Sequence, residues 1–318
     1  MTTAANVPTS GVQLIEITVE NEGQRIDNFL LTFLKGVPKT RIYRLLRKGE
    51  VRVNKGRIQA PYRLVVGDVV RLPPIRVPEE KAQASIGSGL TKTLEGAVLF
   101  ENDQLLVINK PSGLAVHGGS GITLGLIEAL RQMRPDSKFL ELVHRLDRDT
   151  SGAVMVAKKR STLTALHDDL RQGRISKIYH ALVMGHWSKR LLKIDAPLKK
   201  NDLKSGERLV NVDPEGKVSI TEFRLLESYE HCSLVEAKPV TGRTHQIRVH
   251  VLHAGHPIIG DPKYGDERMN RLMKAEGVKR LFLHAAELRL RLPGSTERLI
   301  IKAPMESGLK DALVRLRG

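Results

Sequence analysis

The chain has 318 residues, enough for one large domain with a small appendage and short for three. Its 52 Lys and Arg against 35 Asp and Glu give a formal charge of +17 and a pI near 10.0, a balance that favours polyanionic partners through phosphate contact and counterion release. No apolar run of about 18 residues is present and the N-terminus lacks a signal-peptide layout, so a soluble cytoplasmic protein is expected; the single Cys232 excludes an internal disulfide and a Cys-rich zinc site.

Residues 1–11 are small and polar and read as a loose tail before a strand over Val12–Val19. From Arg25, the apolar positions Ile26, Phe29, Leu30, Phe33 and Leu34 recur at helical spacing, until Gly36 and Pro38 stop the helix. A second helix, with Thr40 as its N-cap, buries Ile42, Leu45 and Leu46 and carries Arg41, Arg44, Arg47 and Lys48 on the other side. Strand-like Val51–Asn54, a turn at Lys55-Gly56-Arg57, and the pair Arg63–Val66 and Val69–Leu72 around Gly67-Asp68 complete a small unit. Residues 24–76 hold 13 Lys and Arg against three acidic residues, so one sixth of the chain carries +10 of the +17. A helix with four cations on one side suits phosphate tracking more than a merely solvated face. The stretch from Arg25-Ile26-Asp27 through Leu45-Leu46-Arg47-Lys48-Gly49-Glu50-Val51-Arg52-Val53-Asn54 resembles the S4 RNA-binding domain, and the resemblance implies RNA contact by Arg41, Arg44, Arg47 and Lys48.

Residues 77–95, with their Pro, Gly, Ser and charged residues, have linker composition. Beyond them, strands are expected at Ala97–Phe100 and Leu105–Ile108, helices at Leu124–Met133 and Leu163–Leu170, and mostly strands from Tyr179 to Val251. Strands dominate without strict alternation, which favours an α+β fold over a doubly wound one. The expected organisation is a tail and strand (1–23), the S4 domain (24–76), the linker (77–95) and a catalytic domain (96–318).

The segment His144-Arg145-Leu146-Asp147-Arg148-Asp149-Thr150-Ser151-Gly152 sets a carboxylate in a turn among cations. An aspartate satisfying local backbone donors explains that segment as well as a reactive one does. A metal at Asp147 and Asp149 is disfavoured by Arg145 and Arg148 beside them. The pattern is similar to the signature of the RluA family of pseudouridine synthases, in which this aspartate is catalytic. Asn109-Lys110-Pro111-Ser112-Gly113-Leu114-Ala115-Val116-His117 resembles that family's first motif, and Thr241-Gly242-Arg243-Thr244-His245-Gln246-Ile247-Arg248-Val249-His250 its third. Lys177-Ile178-Tyr179 falls where the family carries its active-site tyrosine, and phrases such as Val116-His117-Gly118-Gly119-Ser120-Gly121 resemble the RluC branch, whose substrate is large-subunit (23S) ribosomal RNA. The resemblance implies a pseudouridine synthase fold with a mixed, mostly antiparallel sheet and a central cleft, joined to a small α/β S4 domain. It also implies Asp147, Tyr179 and Arg248 as catalytic residues, Arg145 as the side chain that enters the space of a flipped nucleotide, and His144, Arg243, His245 and Gln246 at the RNA interface.

Uridine isomerisation breaks the N1–C1′ bond, turns the base and rejoins it through C5, so neither redox chemistry nor group transfer calls for a cofactor. An ionised carboxylate is needed to attack the ring or sugar, or to stabilise charge at C1′; Arg248 beside Asp147 would keep it ionised through a charge-assisted contact. A base inside folded RNA must be flipped out and held; Tyr179 offers a ring, although core packing is the commoner fate of such a residue. Gly118-Gly119-Ser120-Gly121 lacks the spacing of a nucleotide-binding loop, and His245, His250, His253 and His256 match no zinc signature, so neither a nucleotide cofactor nor a metal is expected. The expected partner is large-subunit ribosomal RNA or its assembly precursor, bound by a monomer. Two other functions remain open to the sequence: a non-catalytic S4-type ribosome-assembly factor, and an S4-bearing RNA methyltransferase, for which a Gly-rich cofactor loop after the first strand is missing.

Overall fold

A computed structural model describes residues 11–34, 36–75, 85–118, 124–202 and 208–317. The expected tail, most of the linker and the Gly119-Ser120-Gly121 part of the glycine-rich loop lie outside the described residues. The chain divides between residues 83 and 84 into two compact units.

The first unit runs β1 (Gln13–Glu16), α1 (Ile26–Phe33), α2 (Lys39–Lys48), β2 (Arg52–Val53), β3 (Gly56–Arg57) and β4 (Val69–Leu72). Its antiparallel sheet has the order β1-β4-β2-β3. Ile26, Phe29 and Leu30 meet Ile42, Leu45 and Leu46 in one core with Val51, Val53, Val70 and Leu72. Three expectations change. The first strand is part of this unit, because β1 pairs with β4 from Gln13 opposite Leu72 to Glu16 opposite Val69. Thr40 lies inside α2, whose N-cap is Pro38; proline's missing N–H and fixed φ are no handicap at a helix start. Arg63–Val66 forms no strand, only an isolated bridge from Arg63 to Arg25, since the Asp68 carboxylate captures the Val65 N–H at 2.9 Å and closes a tight turn with Gly67 at φ 87.

The second unit contains α3 (Ser88–Glu95), β5 (Val98–Glu101), β6 (Leu105–Lys110), α4 (Leu126–Met133), β7 (Glu141–Leu142), β8 (Ser151–Ala157), α5 (Arg160–Arg171), β9 (Ser176–Met184), β10 (Lys193–Asp195), β11 (Leu198–Asp202), β12 (Arg208–Val212), β13 (Ile220–Ser228), β14 (Cys232–Pro239), α6 (Gln246–His253), α7 (Glu267–Ala275), β15 (Leu283–Leu290), β16 (Leu299–Lys302) and α8 (Ser307–Leu316). The stretch read as linker therefore ends in a helix, α3, which buries Leu94 completely in the main core; the glycines at 87 and 89 hide its short apolar face from a composition reading.

A large sheet of order β10-β13-β14-β9-β15-β8-β6-β5, with β16 on β15 and β7 on β8, organises this unit. Its described ladders are antiparallel except the one between β8 and β15. Helices cover both faces, so alternate residues of β6 enter different cores: Leu106 and Ile108 pack with α4 and α8, while Leu105 and Val107 pack with Leu166 of α5. A second departure concerns the third motif, expected among strands and folded as α6. Residues 246–251 are all buried, so no polar face marks a helical period, and the alternation of Ile247, Val249 and Val251 mimics a strand. No helix among the described residues is long and apolar enough to cross a membrane.

Candidate active site

Asp147 precedes β8 on a loop that the first motif holds from one side. The side chain of Lys110, itself fully buried at the end of β6, donates to the carbonyls of Pro111 and Leu114 at 2.8 Å and of Arg148 at 2.9 Å. The same Arg148 carbonyl takes the Gly113 N–H at 2.9 Å, and Ser112 Oγ donates to the Asp149 carbonyl at 2.8 Å. Burial pulls the Lys110 ammonium down to about 7 against the attraction of Asp149, Glu306 and Asp147. Gly152 ends the signature because a Cβ there would collide with the Ala285 backbone of β15, and because its φ is 111.

Arg248 comes from α6. Its Nη1 lies 3.1 Å from Asp147 Oδ2, while Nε and Nη2 grip Asp261 at 2.7 and 2.8 Å. The Asp147 side chain is 30% exposed, against 7% for Arg248 and none for Asp261, so one carboxylate faces the solvent side and the other anchors the cation from within. Asp261 also accepts the backbone N–H groups of Lys263 at 2.8 Å and Tyr264 at 3.0 Å, and the Tyr264 ring lies 4.9 Å from the guanidinium carbon. Burial opposes the charge of both partners; their contact outweighs it, lowering Asp261 and raising Arg248 from their ordinary values.

Tyr179 lies on β9 in the main core and is only 7% exposed, so it presents a narrow strip of ring where an open stacking face was expected. Burial first, then the Asp147 charge, raises its pKa, and it stays a neutral phenol. His245 Nε2 sits 3.9 Å from Asp147 Oδ2. Arg145 is exposed beside Asp147 and makes no ion pair among the described residues.

Other expected interface residues do not join this group. The His144 ring turns inward, accepts the Met155 N–H on Nε2 at 3.2 Å, and is pushed by burial down to about 3. Gln246 is 3% exposed and fully engaged within the protein: Oε1 accepts from Thr241 Oγ1 at 2.7 Å and the Arg243 N–H at 3.0 Å, and Nε2 donates to the Ile220 carbonyl and Thr221 Oγ1, each at 2.9 Å. It braces the turn before α6 and has no face left for RNA. Arg243 is exposed and holds the Val218 carbonyl through Nε at 3.1 Å. His250 bonds Thr221 Oγ1 and the Ala196 carbonyl, and His256 the Met184 carbonyl; among the described residues no three His, Cys, Asp or Glu converge as a metal group. In the first unit Arg44, Arg47 and Lys48 are exposed, whereas Arg41 is half-buried with its Nε shut in and unpartnered.

The sequence reading missed Asp261 and Tyr264. They lie in Gly260-Asp261-Pro262-Lys263-Tyr264-Gly265, where a Cβ on Gly260 would strike the Arg280 carbonyl and one on Gly265 the Asp261 carbonyl. The turn composition was visible; the glycine-framed aspartate and aromatic within it were the available signal.

Residues 104–253 match the RNA pseudouridylate synthase family and residues 24–70 the S4 domain. The chain is 57% identical over 307 residues to ribosomal large subunit pseudouridine synthase C of Yersinia pestis, covering 96% of each. The chain belongs to the pseudouridine synthase C family. The protein of the same name from Escherichia coli strain K12 is 55% identical over 313 residues, covering 97% of this chain and 98% of that one. Among solved structures, human RNA pseudouridylate synthase domain containing 4 superposes with a TM-score of 0.59 and 28% identity over 72% of this chain and 96% of its own. The chain is thus an RNA pseudouridine synthase of α+β fold with an N-terminal S4 domain, and the expectation drawn from the three motifs holds. Membership of this enzyme family sets aside both the methyltransferase and the non-catalytic assembly factor.

Proposed function

We propose that this synthase isomerises uridines of large-subunit ribosomal RNA, free or in an assembling subunit, with Asp147 as the reacting carboxylate and no cofactor. The observation that supports this best is the partly exposed Asp147 carboxylate held at 3.1 Å by a guanidinium that a fully buried Asp261 grips from behind. Arg248 aims Asp147 through their charge-assisted contact, and Tyr179 stands beside it as a neutral phenol. Arg145, exposed and uncommitted to any carboxylate among the described residues, fills the place of the flipped nucleotide. The S4 unit adds phosphate affinity through Arg44, Arg47 and Lys48. The enzyme acts as a cytoplasmic monomer.

The deciding measurement is tritium release from C5-labelled uridine in large-subunit rRNA transcript and in immature subunits, with no metal or cofactor added. The wild type should release tritium, and Asp147→Asn should release none while binding RNA equally well. Absence of release by the wild type from both substrates would remove the ribosomal assignment.

A further inference from the structure

A general place at the RNA interface does not account for the geometry of His245. Its backbone, at φ 53 and ψ 19, is left-handed, a conformation uncommon for residues other than glycine. At the N-cap of α6 that conformation turns the imidazole inward, to 15% exposed. Nδ1 lies 2.8 Å from the Tyr264 hydroxyl, which accepts the Val210 N–H at 3.0 Å. A phenol has one proton to give, and among the described residues His245 Nδ1 is the acceptor in reach of it. Nδ1 therefore accepts, and the neutral ring carries its own proton on Nε2. Burial, Arg248 and Lys263 favour that neutral form over the opposing pull of Asp147 and Asp261.

Nε2 stands 3.9 Å from Asp147 Oδ2, too far for a direct hydrogen bond. Oδ2 already receives Arg248 Nη1, and no acceptor among the described residues takes the Nε2 proton. A donor fixed by the chain Val210–Tyr264–His245 thus ends, unused, at the edge of the space over the reacting carboxylate.

We propose that His245 touches the flipped uridine and donates its Nε2–H to a carbonyl oxygen of the uracil ring as the N1–C1′ bond breaks. This rests on the function proposed above. When N1–C1′ breaks, its electron pair stays with the ring, shared among N1 and the oxygens on C2 and C4. The C5–C1′ bond then forms from ring electrons, the C5 proton leaves and N1 gains one, so nothing is added overall. His245 keeps its proton throughout. Its hydrogen bond strengthens as charge grows on the ring oxygen, whether Asp147 attacks base or sugar, which makes it a catalytic contact selective for the transition state.

The test uses His245→Asn in the full-length protein. Asparagine tolerates the left-handed backbone, and its amide oxygen can still accept from Tyr264, but it places no donor at the Nε2 position. The single-turnover rate at saturating enzyme should fall about 100-fold, the size of effect seen on removing one oxyanion donor, with RNA affinity unchanged. An unchanged rate, or a loss explained wholly by weaker RNA binding, would overturn the assignment. Target RNAs carrying 2-thiouridine or 4-thiouridine provide a second readout, because sulfur is a poor acceptor. One of them should slow the wild type more than the variant; equal slowing of both proteins by both bases would also overturn it. Failure of the wild type on unmodified ribosomal RNA would instead bring down the substrate assignment, before any variant is compared.

Discussion

Arg248 divides one guanidinium between two carboxylates of unequal exposure, and the division leaves Asp147 both ion-paired and reachable. If Asp147 were buried like Asp261, RNA could not reach it; if Arg248 were held by Asp147 alone, the cation would follow that exposed side chain outward. Asp261→Asn should therefore do two kinds of damage. Removing one partner of a buried pair destabilises by about 3 kcal/mol or more, which urea denaturation would register, and the single-turnover rate at saturating RNA should fall because Arg248 is no longer aimed. A stability loss with an unchanged rate would make Asp261 structural only. Asp147 and Arg248 were legible in the sequence because each lies in a dense motif. Asp261 was not, since Asp and Pro between glycines read as an ordinary turn, and its role depends on a partner 13 residues away across that turn. His144 and Gln246 depart in the opposite direction: polar residues within two dense motifs invite an RNA role, but Gln246 spends its hydrogen bonds on the turn before α6, and the His144 nitrogens face inward, Nε2 on the Met155 N–H and Nδ1 shut in without a partner.

At the scale of elements, α1 and α2 are joined by more than apolar contact. Asp27, 2% exposed, accepts Arg25 Nη2 at 2.7 Å, Tyr43 Oη at 2.8 Å and the Asn28 N–H at 2.9 Å. The Arg25 hydrogen bond, ahead of the tyrosine and the backbone donor, lowers its pKa below the ordinary 3.8 in spite of burial. Because the folded value is the lower one, the stability Asp27 supplies is complete above the unfolded value and is lost as pH falls through the folded one. Protection of the α1 and α2 amides, corrected for intrinsic exchange rates, should drop as pH is taken below 3.8 in the wild type. In Asp27→Asn, protection should be lower at neutral pH and nearly flat over that window; an equal acid response in the variant would assign the effect to other carboxylates. These helices were readable because each buries one face at a regular period. α6 was not, because burial on all sides erases the polar half of the pattern, and α3 was lost among glycines.

For the whole molecule, the densest run of cations lies in the S4 segment, apart in sequence from Asp147, Tyr179 and Arg248. Residues 24–76 carry +10, leaving 17 − 10 = +7 for the remaining five sixths of the chain, which includes Asp147, Tyr179 and Arg248. Each unit has its own core, so removing cations from the exposed side of α2 should leave the active site intact. The variant Arg44→Ala/Arg47→Ala/Lys48→Ala should raise the Kd for ribosomal RNA. It should also flatten the plot of log affinity against log salt by roughly 0.7–0.9 for each phosphate that α2 no longer neutralises. Arg41 is left in place because its buried Nε makes its removal a packing change as well as a loss of charge. At saturating RNA the single-turnover rate should match the wild type, since affinity from phosphates is equal in ground and transition states and does not speed the bound reaction. A fall in that saturated rate with an unchanged salt slope would show that the α2 cations act on the geometry of the bound uridine, and the separation of binding from chemistry would have to be abandoned.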